Sequence, residues 1–89
     1  MPKINENHIY NFVIRLLEEK GPIPKKNRKD ISEYRYLDNA HIDSMGILGF
    51  INAIEVKFKI KLNEEDTNSD EFRYIKGLVK IIQKSKRSD

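Results

Sequence analysis

The sequence has no cysteine and no tryptophan among its 89 residues, and only two histidines. Without cysteine, the chain cannot form a disulfide, a thiolate zinc site or a cysteine nucleophile. No apolar run approaches the roughly 20 residues of a membrane-spanning helix, and the first residues lack the apolar stretch of a signal peptide. We therefore expect a cytoplasmic protein with no membrane association.

The length and composition predict one small globular domain. Charged residues make up 35% of the chain and apolar residues 38%, a balance typical of a folded domain with a well solvated surface. A chain this short has room for one hydrophobic core. We expect a single domain over residues 1–89, with a core of about 6–83 and a flexible basic tail at 84–89.

The 17 basic and 14 acidic side chains give a net charge of +3, which admits an anionic partner. The basic residues gather mainly in two segments, 25–29 and 84–89, that look solvated and solubilising. No predicted helix carries a continuous basic face with interleaved aromatics. We therefore expect no nucleic-acid partner, and keep as the alternative a small basic helical module that binds nucleic acid or an anionic surface.

Three apolar stripes with spacings of three and four residues predict three main helices. The first spans about 6–20, the second 44–58, and the third follows Phe72 and ends near the basic tail. We expect most of the core to come from these stripes. Their members are Ile9, Phe12, Val13, Leu16 and Leu17, then Ile47, Phe50, Ile51, Ile54 and Phe58, then Ile75, Leu78, Val79 and Ile82.

The segments between the stripes predict loops. Residues 21–42 lack sustained periodicity and indicate a long ordered loop, which aromatic and apolar side chains must pin across the bundle. Residues 57–62 alternate like a strand but have no pairing partner, so we interpret them as the end of the second helix running into an extended link. The polar residues 63–70 predict a loop with a short helical turn before Phe72. The fold class is therefore all-α, a small antiparallel four-helix bundle with three main helices and one short helix.

Residues 37–45, which read LDNAHIDSM, carry the most specific pattern in the chain. This string resembles the phosphopantetheine attachment region of acyl carrier proteins, in which Asp-Ser-Leu or Asp-Ser-Met opens the second helix after a long loop. Residues 72–75, FRYI, are similar to a Phe-Arg-Thr-Ile segment that leads into the last helix of many specialised carriers. The resemblance covers roughly residues 6–83 and implies a bundle of acyl-carrier type.

The resemblance implies a function without turnover by the chain itself. Ser44 would carry a covalent 4'-phosphopantetheine arm donated by coenzyme A, and Asp43 would help a phosphopantetheinyl transferase to recognise the site. The arm would hold an acyl or aminoacyl group as a thioester. The implied partners are that transferase, an acyl-activating ligase or synthase, and an acyltransferase, and the implied oligomeric state is a monomer.

Elementary chemistry favours a phosphodiester at Ser44. A serine in the first turn of a helix is exposed near unpaired backbone N–H groups and the positive end of the helix dipole. The competing interpretation is ordinary helix capping by Asp43 or Ser44. A Ser44–His41 hydrolase is a distant third hypothesis, because no third orienting residue is identifiable. The histidines and the acidic residues 64–66 form no metal-binding pattern.

The chain departs from fatty-acid carriers in charge. Those proteins present carboxylates on the outer face of the second helix, whereas the outward positions here hold Gly46, Gly49, Glu55 and Val56, followed by three lysines within 57–61. We expect partner docking at Met45, Glu55 and Val56, with an enzyme whose docking surface is more apolar or acidic. Such partners suit specialised carriers of secondary metabolism, polysaccharide modification or aminoacyl transfer.

The residue before the site also departs from the family. Ala40 replaces the usual glycine, so either no positive φ is needed there or some strain is accepted.

Overall fold

The computed structural model describes residues 6–87, and the side chains of residues 6–85. This part of the chain is entirely helical and loop, with no strand. The three long helices correspond to the three predicted stripes, and short helices fill the connections between them. In chain order, the elements are α1 Glu6–Glu18, α2 Arg28–Ser32, α3 Gly46–Phe58, α4 Glu64–Thr67, a 3-10 helix Asp70–Arg73 and α5 Ile75–Arg87.

Helices α1 and α5 pack against each other. The α1 face towards α5 buries residues at spacings of one, three and four, namely Ile9, Tyr10, Val13 and Leu17. The predicted core residues Phe12 and Leu16 are only half-buried. In α3, Phe50, Ile54 and Phe58 are buried whereas Ile47 and Ile51 are half-buried, and the predicted core residues of α5 are all buried. The stripe of α1 is thus rotated slightly from the expected one.

The C-terminal end of α5 corrects the predicted flexible tail. The helix continues to Arg87, and the Lys84 ammonium lies 3.1 Å from the Asp66 carboxylate. The last buried residue of the helix is Ile82, and the helix continues beyond it with the exposed Lys84. Only Ser88 and Asp89 of the predicted tail lie outside the described residues.

The predicted long loop contains a short helix, α2. The side chain of Asn27 accepts a hydrogen bond from the backbone N–H of Asp30, with N···O 2.9 Å, and so caps its first turn. The prediction of irregular structure over 21–42 was wrong for these five residues. Apolar side chains pin the loop as expected, since Tyr34, Tyr36 and Ile42 are buried in the core.

Helix α3 ends at Phe58, as predicted. Lys59 takes a left-handed conformation, φ 56° and ψ 48°, and the N–H of Ile60 donates to the Glu55 carbonyl at 3.2 Å. This arrangement closes the helix in the way that glycine usually does. The chain then continues without regular structure to Asn63, so the extended-link interpretation of residues 57–62 is confirmed.

Two short helices replace the single short turn that the polar segment predicts. Asn63 caps α4 by accepting from the N–H of Asp66 at 2.7 Å, and the 3-10 helix then leads into α5. The backbones of the 3-10 helix and α5 approach so closely that a Cβ on Gly77 would lie 2.1 Å from the Glu71 carbonyl oxygen. Only glycine permits this contact.

None of the helices within residues 6–87 combines the length and the apolar character that crossing a bilayer requires.

Candidate functional site

A turn over residues 43–45 leads into α3. The Asp43 side chain accepts a hydrogen bond from the N–H of Gly46 at 2.7 Å, and the Asp43 carbonyl accepts from Gly46 and Ile47, each at 3.1 Å. The helix therefore starts two residues later than predicted. Met45 occupies its N-cap position without a side-chain bond, and Asp43 holds the turn that precedes the helix. A Cβ on Gly46 would lie 3.1 Å from the Asp43 carboxylate and 3.2 Å from Ile42, so glycine allows this close approach.

Ser44 lies in this turn, directly before α3, with its side chain exposed. The turn presents backbone N–H groups and the positive end of the α3 dipole to the surrounding solvent. A phosphate ester on the Ser44 hydroxyl would therefore meet a favourable field and no steric barrier from a buried environment. These features fit the attachment of an anionic arm.

Both ring nitrogens of His41 are engaged away from Ser44. Nε2 lies 2.8 Å from the Leu17 carbonyl and 3.0 Å from the Gly21 carbonyl, and Nδ1 lies 3.0 Å from the Tyr34 hydroxyl. Carbonyls only accept, so Nε2 carries a proton and donates to them. His41 therefore fastens the loop to the end of α1, and this arrangement gives no support to the Ser44–His41 hydrolase.

Ala40 adopts a positive φ of 54°. The sequence left open whether this position needs a positive φ, and the structure shows that it does and that Ala40 accepts the backbone strain. The left-handed turn brings the N–H of His41 to the Tyr36 carbonyl at 2.9 Å, which places the imidazole against α1.

The outward face of α3 is apolar at three positions. Met45 is 87% exposed, Leu48 73% and Val56 69%. Met45 and Leu48 are three residues apart and Val56 follows after two further turns, so the three share one side of the helix next to Ser44. We call Met45, Leu48 and Val56 the outer stripe. Sequence reasoning selected Met45 and Val56 but missed Leu48, although Leu48, like Val56, is a large apolar residue of α3 outside the inward pattern.

Glu55 does not provide a free carboxylate on this face. It is half-buried, and its Oε2 accepts a hydrogen bond from the N–H of Leu62 at 2.8 Å. The carboxylate therefore stabilises the link that follows α3. The docking role expected of Glu55 stays a prediction, beside this structural role, and the outer stripe itself has no acidic member.

A cluster of four charged residues, which we call the ionic clamp, joins the loop to the 3-10 helix. Asp38 accepts from Arg35 and from the Nε of Arg73, the latter at 2.7 Å, and Arg35 also reaches Asp70 at 2.5 Å. Hydrogen bonds from Arg35 and then Arg73 lower the pKa of Asp38. Hydrogen bonds to Asp70 and then Asp38 raise the pKa of Arg35. Sequence reasoning missed this clamp because the residues that it joins across the two segments are 35 positions apart.

Some of the basic side chains make contacts within the protein. The Arg28 guanidinium stacks over the Tyr10 ring, 4.8 Å from its centre, and Lys84 pairs with Asp66. One member of each basic segment therefore stabilises the fold. This reduces the charge that either segment offers to a nucleic acid.

Two open surface grooves, of about 580 and 410 Å³, lie away from the candidate attachment site. The first is bordered by residues of the α3–α4 link and α5, and the second by residues of the long loop. Neither is lined by Ser44 or by the outer stripe. Within residues 6–87, no group of three histidine or carboxylate side chains is arranged to hold a metal ion.

Comparisons with protein-family models, with curated proteins and with solved structures found no match to this chain.

Proposed function

We propose that this protein is an acyl carrier of the phosphopantetheine-dependent type, modified on Ser44. The observation that carries the proposal is the exposed serine in the turn that leads into α3, directly after an aspartate that accepts a hydrogen bond from the helix's first backbone N–H. That serine follows a loop whose sequence resembles the attachment region of carriers, within a chain whose described part is all helical. A cap alone would not require an exposed serine beside it.

The finer architecture belongs to the same proposal. The long helices α1, α3 and α5, with the short helical segment before α5, take the places of the four helices in an acyl-carrier bundle. Helix α2 is an addition within the long first loop. We expect the domain to act as a monomer in the cytoplasm.

Attachment requires chemistry from a partner, because in carriers of this type a separate transferase activates the serine hydroxyl. In the transferase complex, a phosphodiester bond forms between the Ser44 oxygen and the phosphorus of the arm. The 3',5'-ADP portion of coenzyme A leaves with the electrons of the broken bond, and the serine proton passes to a base of the transferase. The arm supplies a terminal thiol, which holds an acyl or aminoacyl group as a thioester.

The residues around Ser44 fit this group. The Ser44 side chain is exposed, and the dipole of α3 favours the phosphodiester charge. Asp43 holds the turn before α3 through its bonds to the backbone of Gly46 and Ile47. It thereby fixes the direction in which the serine is presented to the transferase.

The outer stripe is the proposed docking surface for partner enzymes. Apolar side chains this exposed, in a group beside a reactive position, are typical of interaction sites. The lysine at position 57 lies next to Val56, and Glu55 is bonded to Leu62. A suitable partner therefore offers an apolar depression with carboxylates at its rim, in contrast to the basic patches that dock acidic carriers. An acyl-activating ligase or synthase and an acyltransferase would both use it.

The test is an intact-mass measurement after incubation with coenzyme A, magnesium and a broad-specificity phosphopantetheinyl transferase. We expect the mass to increase by one phosphopantetheine, and the Ser44→Ala variant to remain unchanged. A protein that stays unmodified with several such transferases would refute the proposal. In that case, salt-dependent binding to nucleic acid would be measured next, since phosphate contacts weaken steeply with added salt.

A further inference from the structure

Three aromatic rings occupy the space between α3 and the 3-10 helix. Phe50 projects from α3, Phe72 from the 3-10 helix, and Tyr36 lies between them. The Tyr36 ring centre is 5.5 Å from that of Phe50 and 6.4 Å from that of Phe72, and all three side chains are buried. We call these three side chains the aromatic wall.

The aromatic wall also contains a polar bond. The Tyr36 hydroxyl donates a hydrogen bond to the Phe72 carbonyl in the interior, and burial raises the pKa of Tyr36. A hydrocarbon chain inserted between Tyr36 and the 3-10 helix would break this bond and leave two polar groups unpaired in apolar surroundings, which strongly opposes insertion. A chain inserted between Tyr36 and α3 would have to separate the packed rings of Tyr36 and Phe50.

The backbone on both sides of Tyr36 is fastened to the segment that contains Phe72. The N–H of Ile75 donates to the Tyr34 carbonyl at 3.3 Å, and the N–H of Leu37 lies 3.5 Å from the Arg73 carbonyl. The ionic clamp holds the same two segments through their side chains. Displacing Tyr36 therefore requires several contacts to open together, and a rotation of one side chain does not suffice.

From this geometry we infer that the aromatic wall keeps the cargo outside the helical core, and that Ser44 therefore serves a short or polar acyl or aminoacyl group. This inference rests on the proposed carrier function. A long alkyl chain on the arm would remain in water along its whole length, which is unfavourable. A small amino acid or short acid carries little apolar surface and gains nothing from shelter.

The experiment compares acetyl, octanoyl and dodecanoyl groups loaded onto Ser44 from the corresponding coenzyme A thioesters. Hydroxylamine is added to each loaded protein, where it attacks the thioester carbonyl to give a hydroxamate and a free arm thiol. A chain buried nine-tenths of the time would react about tenfold more slowly, because only the exposed fraction is attacked. We expect the three thioesters to react at the same rate and to leave the same thermal unfolding midpoint.

A slower reaction of the longer chains, together with a higher unfolding midpoint, would overturn the inference while leaving the carrier function intact. Failure of the transferase to load any group would instead contradict the proposed function. The two failures are therefore distinguishable in one series.

The Phe50→Ala variant tests whether the aromatic wall causes the exclusion. It opens an apolar space next to α3 and leaves the Tyr36 hydroxyl bonded, and circular dichroism checks that it folds. We expect its octanoyl thioester to react more slowly than its acetyl thioester. Phe50→Leu, which creates a smaller space, replaces it if the alanine variant does not fold. Equal rates in the folded variant would contradict the role of the wall.

Discussion

Helices α3 and α5 have the same length, 13 residues, but they use their apolar residues differently. In α5 the apolar side chains are buried, and lysines at 76, 80 and 84 occupy exposed positions. Helix α3 buries Phe50, Ile54 and Phe58, yet the outer stripe remains in solvent. Folding of this chain explains the pattern of α5. It explains only the inner half of α3, and the proposed docking role is what would account for the outer half.

The two helices also differ in how closely they approach their neighbours. Helix α5 meets the 3-10 helix backbone to backbone at Gly77. Helix α3 is held through long aromatic side chains, with Phe58 against Phe12 at a centre distance of 5.4 Å and Phe50 against Tyr36 at 5.5 Å. Ser44 therefore lies directly before the helix of this pair whose exposed face is less determined by the core.

A matched pair of leucines gives the largest expected difference between the helices. Leu78 of α5 is 0% exposed and Leu48 of α3 is 73% exposed. Leu78→Ala should lower the free energy of unfolding by about 3 to 4 kcal/mol, since it leaves a cavity. Leu48→Ala should change it by less than about 0.5 kcal/mol. Urea denaturation followed by circular dichroism measures both.

The same Leu48→Ala variant tests whether the outer stripe is a docking surface. If the stripe docks partners, the variant should be modified on Ser44 about tenfold more slowly at limiting transferase concentration, as for the loss of one interface anchor. Lys80→Ala on α5 is the control and should retain the wild-type rate. A stability loss in Leu48→Ala equal to that of Leu78→Ala would show that the stripe belongs to the core, and the comparison would fail.

Glycine substitutions give the next largest effect, with opposite signs in the two helices. Gly77→Ala places a methyl group 2.1 Å from the Glu71 carbonyl oxygen, so we expect a loss of about 2 to 3 kcal/mol in the free energy of unfolding. A Cβ on Gly49 meets nothing within 4 Å. Gly49→Ala should therefore stabilise by about 1 kcal/mol through helix propensity.

Thermal and urea unfolding of the two glycine variants check the signs. A destabilised Gly49→Ala protein would mean that α3 packs against more of the chain than its exposed face indicates. An undisturbed Gly77→Ala protein would mean that the close contact between α5 and the 3-10 helix relaxes at little cost.

Sequence patterns predicted the long helices because their stripes are periodic and extend over several turns. They failed at α2, where five residues are too few for periodicity, although the Asn27 cap was a usable signal. The helical end of α5 was missed because lysines on an outward face carry no apolar pattern. Asp43 and Ser44 were located by a local motif. The structural role of Glu55 was not foreseeable, since its bond to Leu62 depends on the left-handed turn at Lys59.

The smallest predicted effect concerns the charged side chains before α5, which are expected to affect stability more than the charge before α3. The segment before α5 is held by the ionic clamp, in which hydrogen bonds from Arg35 and Arg73 lower the pKa of Asp38. A carboxylate with a lowered folded-state pKa stabilises the protein above its unfolded pKa, and that stability is lost as the pH falls through the folded value. Above about pH 5, the wild type should therefore have a higher unfolding midpoint than Asp38→Asn. The difference between the two midpoints should shrink as the pH is lowered.

Salt provides the control for that prediction, because the clamp is exposed at the surface and its ion pairs are screened at about 1 M ionic strength. The difference in unfolding midpoint between wild type and Asp38→Asn should narrow at high salt. The difference for Leu78→Ala should not, since it arises from a cavity.

The start of α3 depends instead on the hydrogen bond that the Asp43 side chain accepts from a backbone N–H, and an asparagine side chain can accept the same bond. Asp43→Asn should thus keep the neutral-pH unfolding midpoint of wild type. A larger loss in Asp43→Asn than in Asp38→Asn would reverse the expected order, and would mean that the charge at the start of α3 matters more to the fold than the clamp before α5.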